Sequence, residues 1–293
     1  MKVAVKGYAY CLNHTPEIAL LYGNTPYVER KTRGTSEFLE TLPAHLQSYE
    51  KAATYAPNLA YIGAMTLDEL EGHPQPWLEN PVDGATRFGR FGEIMPEDEF
   101  LGLMDISDVF DIVWLEANFS AEVAEKLKAN PVMNEALLGR LEKGHPIDEI
   151  EKEVREKDAL PLYLEGKIVG CSRKGHEVDE CLEAYVLLEN VACKAGGVLA
   201  LLHLFRNSGL RPDEVDFVIE CSEEAAGDMN QRGGGNFAKA VAEIAGCVNA
   251  SGCDVGGFCA GPVNAVIAAA SQVAAGHERI ASWLQVVRSQ NFS

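Results

Sequence analysis

Between Asp216 and Gly276 short apolar runs alternate with longer periodic ones, and few architectures accept that pattern. DFVIEC is a continuous apolar run of strand length, followed by the helix-length FAKAVAEIAG, the short CDVGGF and then GPVNAVIAAASQVAAG. Continuous apolar runs belong to strands covered on both faces, and strands that alternate with helices pair in parallel beneath helical layers. The fold class is therefore α/β, a sheet layered between helices. The last helix carries its own punctuation: Pro262 stands in its first turn, where a missing N–H costs nothing, and Gly276 just past its end.

Upstream, PLYLEGKIVG reads as a hairpin around Glu165 and Gly166, and Asp179–Asn207 is a long apolar-periodic helix stopped by Gly209. Residues Lys2–Ala9 alternate and are rich in valine, the pattern of a half-buried strand. From Thr15 to Asp158 helical stretches such as SEFLETLPAHLQSYEKAATYA and AEVAEKLKANPVMNEALLGRLEKG are broken by Pro- and Gly-containing loops. Four segments follow: 1–14 with the first strand, 15–158 a mainly helical insertion, 159–276 an α/β core, and 277–293, where RIASWLQVVRSQNFS breaks the strand-and-helix pattern.

The net charge of −19 gives a long-range field that repels phosphates, so nucleic acid and anionic membranes are excluded as expected partners. The opening MKVAVKGYAY lacks the apolar core and cleavage site of a secretory signal, and the chain is expected in the cytoplasm. The most apolar stretches, Val198–Phe205 and Ala265–Ala270, fall short of the ~20 residues needed to cross a bilayer. Eight cysteines without an export signal read as reduced thiols.

Among them Cys259 has the most suggestive setting, between CDVGGF and the helix that begins GPVNAV. A strand that turns sharply into a helix presents a nucleophile at the top of a sheet. Gly256, Gly257, Ala260 and Gly261 leave steric room for the turn. The helix amino terminus offers N–H groups and positive potential, which favour a thiolate and can hold an oxyanion. The same pattern admits a second reading, a small inert core cysteine. Cys221 also ends a strand-like run, but SEEAAGD follows it, and carboxylates oppose thiolate formation. Cys247, Cys253 and Cys259 recur every six residues without the short paired spacings of structural zinc, so no metal is expected. His203 within an apolar helix and His176 in a polar loop read as core and surface residues, and no histidine is assigned to catalysis. RGGGN (Arg232–Asn236) precedes a helix, as in phosphate sites, yet lacks the Lys-Ser/Thr of a P-loop. It reads first as a flexible connection, and no cofactor is assigned.

The run DEVDFVIECSEEAAGDMNQRGGGNFAKAVAEIAGCVNASGCDVGGFCAGPVNAVIAAASQVAAG resembles the amino-terminal half of thiolase-like condensing enzymes, especially the beta-ketoacyl-carrier-protein synthase III branch. Within that superfamily ECSEEAAGDMNQRGGGNFAKA and GFCAGPV, together with KVAVKGYAYCLNHTPE and YGNTPYVERKTRGTSEFLE, resemble the beta subunits of component C of the glycine/sarcosine/betaine reductase complexes. The resemblance implies a thiolase-like layered fold, with 1–14 and 159–276 in one half of it, and puts Cys259 at the nucleophile position. It further implies a two-carbon unit carried as a carboxymethyl group on selenoprotein component A, held by component C as an acetyl thioester and released to phosphate as acetyl phosphate. An alpha subunit similar to phosphate acyltransferases is the implied partner.

In thiolase-like enzymes the acid/base partners of the cysteine come from a second half, and this chain stops where that half begins. A thiolate without them is a poor catalyst. Two alternatives stand beside the acyl-transfer subunit: a stand-alone condensing enzyme, and a non-catalytic half whose exposed edge drives self-association into homo-oligomers. The pattern break after residue 276 is expected to reflect a change of reading frame: permitted codons for Ile280–Phe292, read two nucleotides later, can give RVVVAGGSIAKL. Sequencing the encoding DNA should show the shift there. An uninterrupted frame ending at Ser293, with no thiolase-like frame downstream, would overturn it.

Overall fold

The computed structural model of the chain describes residues 3–141, 143–221 and 236–285. It opens with strand β1 (Leu12–His14), then helices α1 (Pro16–Tyr22), α2 (Asn24–Arg33), α3 (Glu37–Thr41), α4 (Tyr49–Thr54), α5 (Ala56–Ile62) and α6 (Leu67–Gly72). Strand β2 (Ile94–Pro96) leads into α7 (Glu97–Ser107), and β3 (Val113–Leu115) into α8 (Ala117–Lys128), α9 (Glu135–Leu138) and α10 (Ile147–Glu156). The remainder comprises β4 (Leu160–Leu164), β5 (Lys167–Ser172), α11 (Ala184–Ser208), β6 (Phe217–Glu220), α12 (Phe237–Ile244), β7 (Ser251–Asp254), α13 (Gly261–Ala275) and β8 (Ala281–Leu284).

Three small sheets result among the described residues. β1 pairs in parallel with β2, β5 lies between β3 and β4 in an antiparallel sheet, and β6 lies between β7 and β8 in a parallel one. The β4–β5 hairpin turns at Glu165 and Gly166, both with positive φ (52° and 73°), the backbone a two-residue turn needs to follow strand twist. Side chains of β6 alternate between two cores, as the pleat requires. Val218 packs with Phe237, Val241 and residues of α11, whereas Ile219 packs with Ala265 and Ala269 of α13. The parallel sheet is thus sandwiched between α11 and α12 on one face and α13 on the other.

Helix α11 is the spine. Over 25 residues it is apolar on nearly every side, and Gly197 lets it approach so closely that a Cβ there would lie 3.1 Å from Val241 Cγ1 and 3.3 Å from Leu284 Cδ1. By length and composition it could cross a membrane, yet it is mostly buried within the protein and carries buried Asn190, Lys194 and His203. His203 Nε2 lies 3.0 Å from Glu93 Oε1, and Asn130 Nδ2 donates to both oxygens of the same carboxylate (2.9 and 3.1 Å). Arg87 approaches Glu93 at 3.5 Å while forming a bidentate pair with Glu99 (2.7 and 2.6 Å). This buried network joins α11 to the residues flanking β2, to the end of α8 and to α7.

Two sequence expectations are corrected. The strand expected over Lys2–Ala9 does not form in residues 3–9. The partner available to this segment is the short β2: Tyr10 N–H donates to Phe91 O and Leu12 N–H to Glu93 O, so pairing starts only there, and the first strand does not join the parallel sheet. The closing segment 277–293, expected to break the pattern, contributes β8, in register with β6 from Phe217 opposite Ala281 to Glu220 opposite Leu284. Its entry is set by the Asp216 carboxylate, which accepts from Arg279 N–H (3.0 Å) and Ile280 N–H (3.2 Å). Burial raises the Asp216 pKa, but these bonds and the Arg279 guanidinium outweigh it and hold the carboxyl below its ordinary value. The end of the segment, 286–293, lies outside the described residues.

Helices α7 and α8 cross at Gly102, where a Cβ would sit 2.2 Å from Val123 Cγ1 and 3.1 Å from Leu127 Cδ1. Overpacking costs about 1–3 kcal/mol and should outweigh the ~1 kcal/mol that alanine gains over glycine in a helix. Gly102→Ala is therefore expected to lower the urea midpoint, and adding Val123→Ala should recover part of the loss. An unchanged midpoint for Gly102→Ala would mean that the two helices do not meet there.

Candidate active site

Because β6, β7 and β8 run in parallel, their carboxyl ends share one edge. The chain leaves β6 for β7 on one side and then crosses to β8 on the other, and such a reversal of strand order opens a crevice at the carboxyl edge. Cys259 is on this edge. β7 ends at Asp254, the ladder continues for one bond from Val255 N–H to Glu220 O (2.8 Å), and Phe258–Ala260 form a single 3₁₀ turn before α13. The sequence suggested a strand running straight into the cysteine; three residues of irregular backbone intervene instead.

The glycines here have separate tasks. Gly257 has φ 153°, which side chains rarely adopt, and a Cβ on it would lie 2.9 Å from Asn264 Nδ2. Gly261 lets the start of α13 rest on the end of β6, where a Cβ would come within 3.0 Å of Cys221 O. Cys259 is exposed, two residues before a 15-residue helix with Pro262 in its first turn. It is not a packed core cysteine.

Asp254, which sequence reasoning passed over, organises the neighbouring helix start. Its carboxylate accepts from Phe237 N–H and Ala238 N–H, both at 2.8 Å, while Asn236 Oδ1 accepts from Lys239 N–H at 2.6 Å. The available clue was an acidic residue at the carboxyl end of a strand. Of the RGGGN motif, Arg232–Gly235 lie outside the described residues, and a phosphate binding at the start of α12 would have to displace Asp254 and Asn236. His176 is an exposed loop residue whose Nδ1 accepts from Val178 N–H at 3.3 Å. Cys247 belongs to the core under α11 and α12, but Cys253 packs with the α13 side, so the six-residue spacing does not converge. Among the described residues no group of three His, Cys, Asp or Glu side chains is disposed to hold a metal.

No family model matches the chain. It is 50% identical over 274 residues to the glycine/sarcosine/betaine reductase complex component C subunit beta of Peptoclostridium acidaminophilum, an alignment that takes in 93% of this chain and 53% of that protein. The two proteins are homologous. The chain spans about half the length of this curated relative. Among solved structures, the priming beta-ketosynthase of the R1128 polyketide biosynthetic pathway is similar to 33% of this chain and 27% of its own, at 27% identity and a TM-score of 0.29.

The remaining cysteines have settings unlike that of Cys259. Cys221 is buried, its thiol donates to Leu284 O at 3.1 Å, and burial, aided by the Glu220 carboxylate, pushes its pKa up to about 11. The SEEAAGD carboxylates invoked from sequence lie outside the described residues. Burial raises Cys11, Cys171 and Cys247 to about 12, and Cys253 is raised by burial and then by the charge of Asp254. Cys181 is the other exposed cysteine. At pH 7.5, on the order of one unit below a free thiol's pKa, iodoacetamide should alkylate Cys259 several-fold faster than Cys181, and the buried cysteines only after unfolding. Peptide mass spectrometry over a time course measures this; equal rates at Cys259 and Cys181 would show that the helix start confers no activation.

Proposed function

We propose that this chain serves as the thiolase-like, amino-terminal part of a component C beta subunit, working in the cytoplasm with Cys259 as its acyl-carrying nucleophile. In this reading component A, a selenoprotein, carries the two-carbon unit as a carboxymethyl selenoether; a second thiol takes the selenium as a selenide–sulfide, which supplies the two electrons that turn carboxymethyl into acetyl, Cys259 holds the acetyl as a thioester with loss of water, and phosphate releases it as acetyl phosphate. An alpha subunit similar to phosphate acyltransferases completes the component. The observation that carries the reading is an exposed cysteine at the carboxyl edge of a parallel sheet, two residues ahead of a 15-residue helix, in a chain 50% identical over 274 residues to such a subunit. The sheet enclosed between α11 with α12 and α13 suits one half of a thiolase-like fold.

In the release step a phosphate oxygen attacks the thioester carbonyl carbon, the carbon–sulfur bond breaks, and sulfur departs as thiolate while acetyl phosphate leaves. No electrons change hands. The positive end of α13 favours sulfur as an anion, which helps it both to attack and to leave, and its N–H groups suit the charge that grows on the carbonyl oxygen.

The release step can be run backwards. Incubated with isotopically labelled acetyl phosphate and the alpha subunit, the chain should acquire one hydroxylamine-labile acetyl group on Cys259, and Cys259→Ser should acquire none. Acetyl mapped to another residue, or acetyl taken only from acetyl-coenzyme A, would overturn the proposal, the second outcome in favour of a condensing enzyme.

A further inference from the structure

Stretches far apart in sequence meet on the surface beside the carboxyl end of α11. Gly7 lies against it so closely that a Cβ would be 2.8 Å from Ser208 Cβ, and Asn207 Nδ2 donates to Phe91 O at 3.0 Å. Phe91 N–H donates to Ile62 O, and Tyr10 N–H to Phe91 O. These bonds place four rings side by side: centroids are 4.9 Å apart for Tyr8 and Phe91, 6.0 Å for Tyr10 and Phe91, and 5.3 Å for Tyr10 and Tyr61. The three tyrosines are 44–49% exposed, and Val5 beside them is 69% exposed. Scattered apolar side chains on a surface mean little, but a contiguous aromatic patch marks an interaction site.

Charge sets this patch apart from the rest of the molecule. Exposed Lys6, Arg90 and Arg206 lie within the same stretches, Arg90 with its guanidinium carbon 5.8 Å from the centre of the Phe91 ring. Among the described residues none of the three is ion-paired, whereas Arg33, Lys126, Arg155, Lys157 and Arg173 each have a carboxylate. The chain's net charge is −19, yet residues 3–16, 59–65, 84–92 and 191–212 contain no aspartate or glutamate.

We propose that this patch docks an acidic protein partner, whose carboxylates meet the three cations around an apolar centre seated on the tyrosine rings. The inference rests on the reading above that the chain works within an assembly. Tyr and Arg are enriched in the energetic centres of protein interfaces. A polyanion such as nucleic acid, or an anionic membrane, would face the same three cations but meet the repulsion of the remaining negative surface. The patch adjoins the segment that leads into the first residue of β6, whereas Cys259 stands at the carboxyl edge. A partner held here leaves the cysteine open.

The test uses the intact chain with the purified alpha subunit and purified component A, binding being measured at about 0.15 M salt, where surface charges more than ~8 Å apart are largely screened. One of the two proteins should bind. Arg90→Glu and Lys6→Glu should each weaken that complex about tenfold or more, chiefly through slower association, while Arg155→Glu, on an exposed face elsewhere, should stay within about twofold. A zero-length amine-to-carboxylate cross-linker should join Lys6 to an acidic residue of the bound protein. Binding indifferent to both reversals, no binding by either protein, or binding instead to transfer RNA or phosphatidylserine vesicles would overturn the proposal. Iodoacetamide alkylation of Cys259, which needs no partner protein, should be unchanged in the patch variants, so failure of docking and failure of the reactive-cysteine reading are told apart.

Discussion

A helix that is apolar on nearly all sides has to be enclosed, and the fold follows from enclosing α11. Leu187, Leu188, Val191, Val198, Leu199, Leu201, Leu202 and Phe205 are all buried along it, and full burial of each such side chain contributes about 1.5–3 kcal/mol. No single neighbour covers a helix of this length. Helices α7 and α12 and strands β5 and β8 each take a share, so the amino-terminal helices and the parallel sheet are parts of one structure because they bury the same rod. Apolar contact alone leaves a rod free to slide or rotate. The bond between His203 and the fully buried Glu93 opposes that freedom, since a shift by one residue would break it and leave a buried polar group short of a partner, at a cost of about 1–3 kcal/mol.

The same principle sorts the cysteines. On the sheet, Cys221 and Cys253 are held in or against the α13-side core, where desolvation and an adjacent carboxylate both favour the neutral thiol. Cys259 differs because the chain leaves the sheet before reaching it: β7 stops at Asp254, Gly257 takes a backbone conformation closed to side chains, and the next turn rises to the helix start. The chemistry proposed for this residue depends on that short excursion. A cysteine five residues earlier would sit in the sheet.

Much of the fold could be read from local pattern. The Glu165–Gly166 hairpin, the long helix ending at Gly209, the strand at DFVIEC and the Pro262-to-Gly276 helix all depend on backbone preferences and on periodicity over a few residues. What escaped was non-local. Residues 3–9 have the alternation of a strand but, among the described residues, no strand beside them to pair with, because β2 begins only at Ile94. Ala281–Leu284 looked out of character, yet β6 had an open edge and Asp216 two hydrogen bonds to offer. The capping role of Asp254 joins residues 17 positions apart in sequence, beyond the reach of any spacing rule.

By itself the sequence determined the α/β class, the parallel core of the last third, and Cys259 as the cysteine before a helix, since each of these follows from residue type and near-neighbour spacing. Only the tertiary structure decided which cysteines are buried, which strands pair, which N–H groups at the start of α12 are already taken, and that Tyr8, Tyr10, Tyr61 and Arg90 share one surface. Those outcomes depend on contacts between distant segments, and such contacts exist only after the chain has closed around α11.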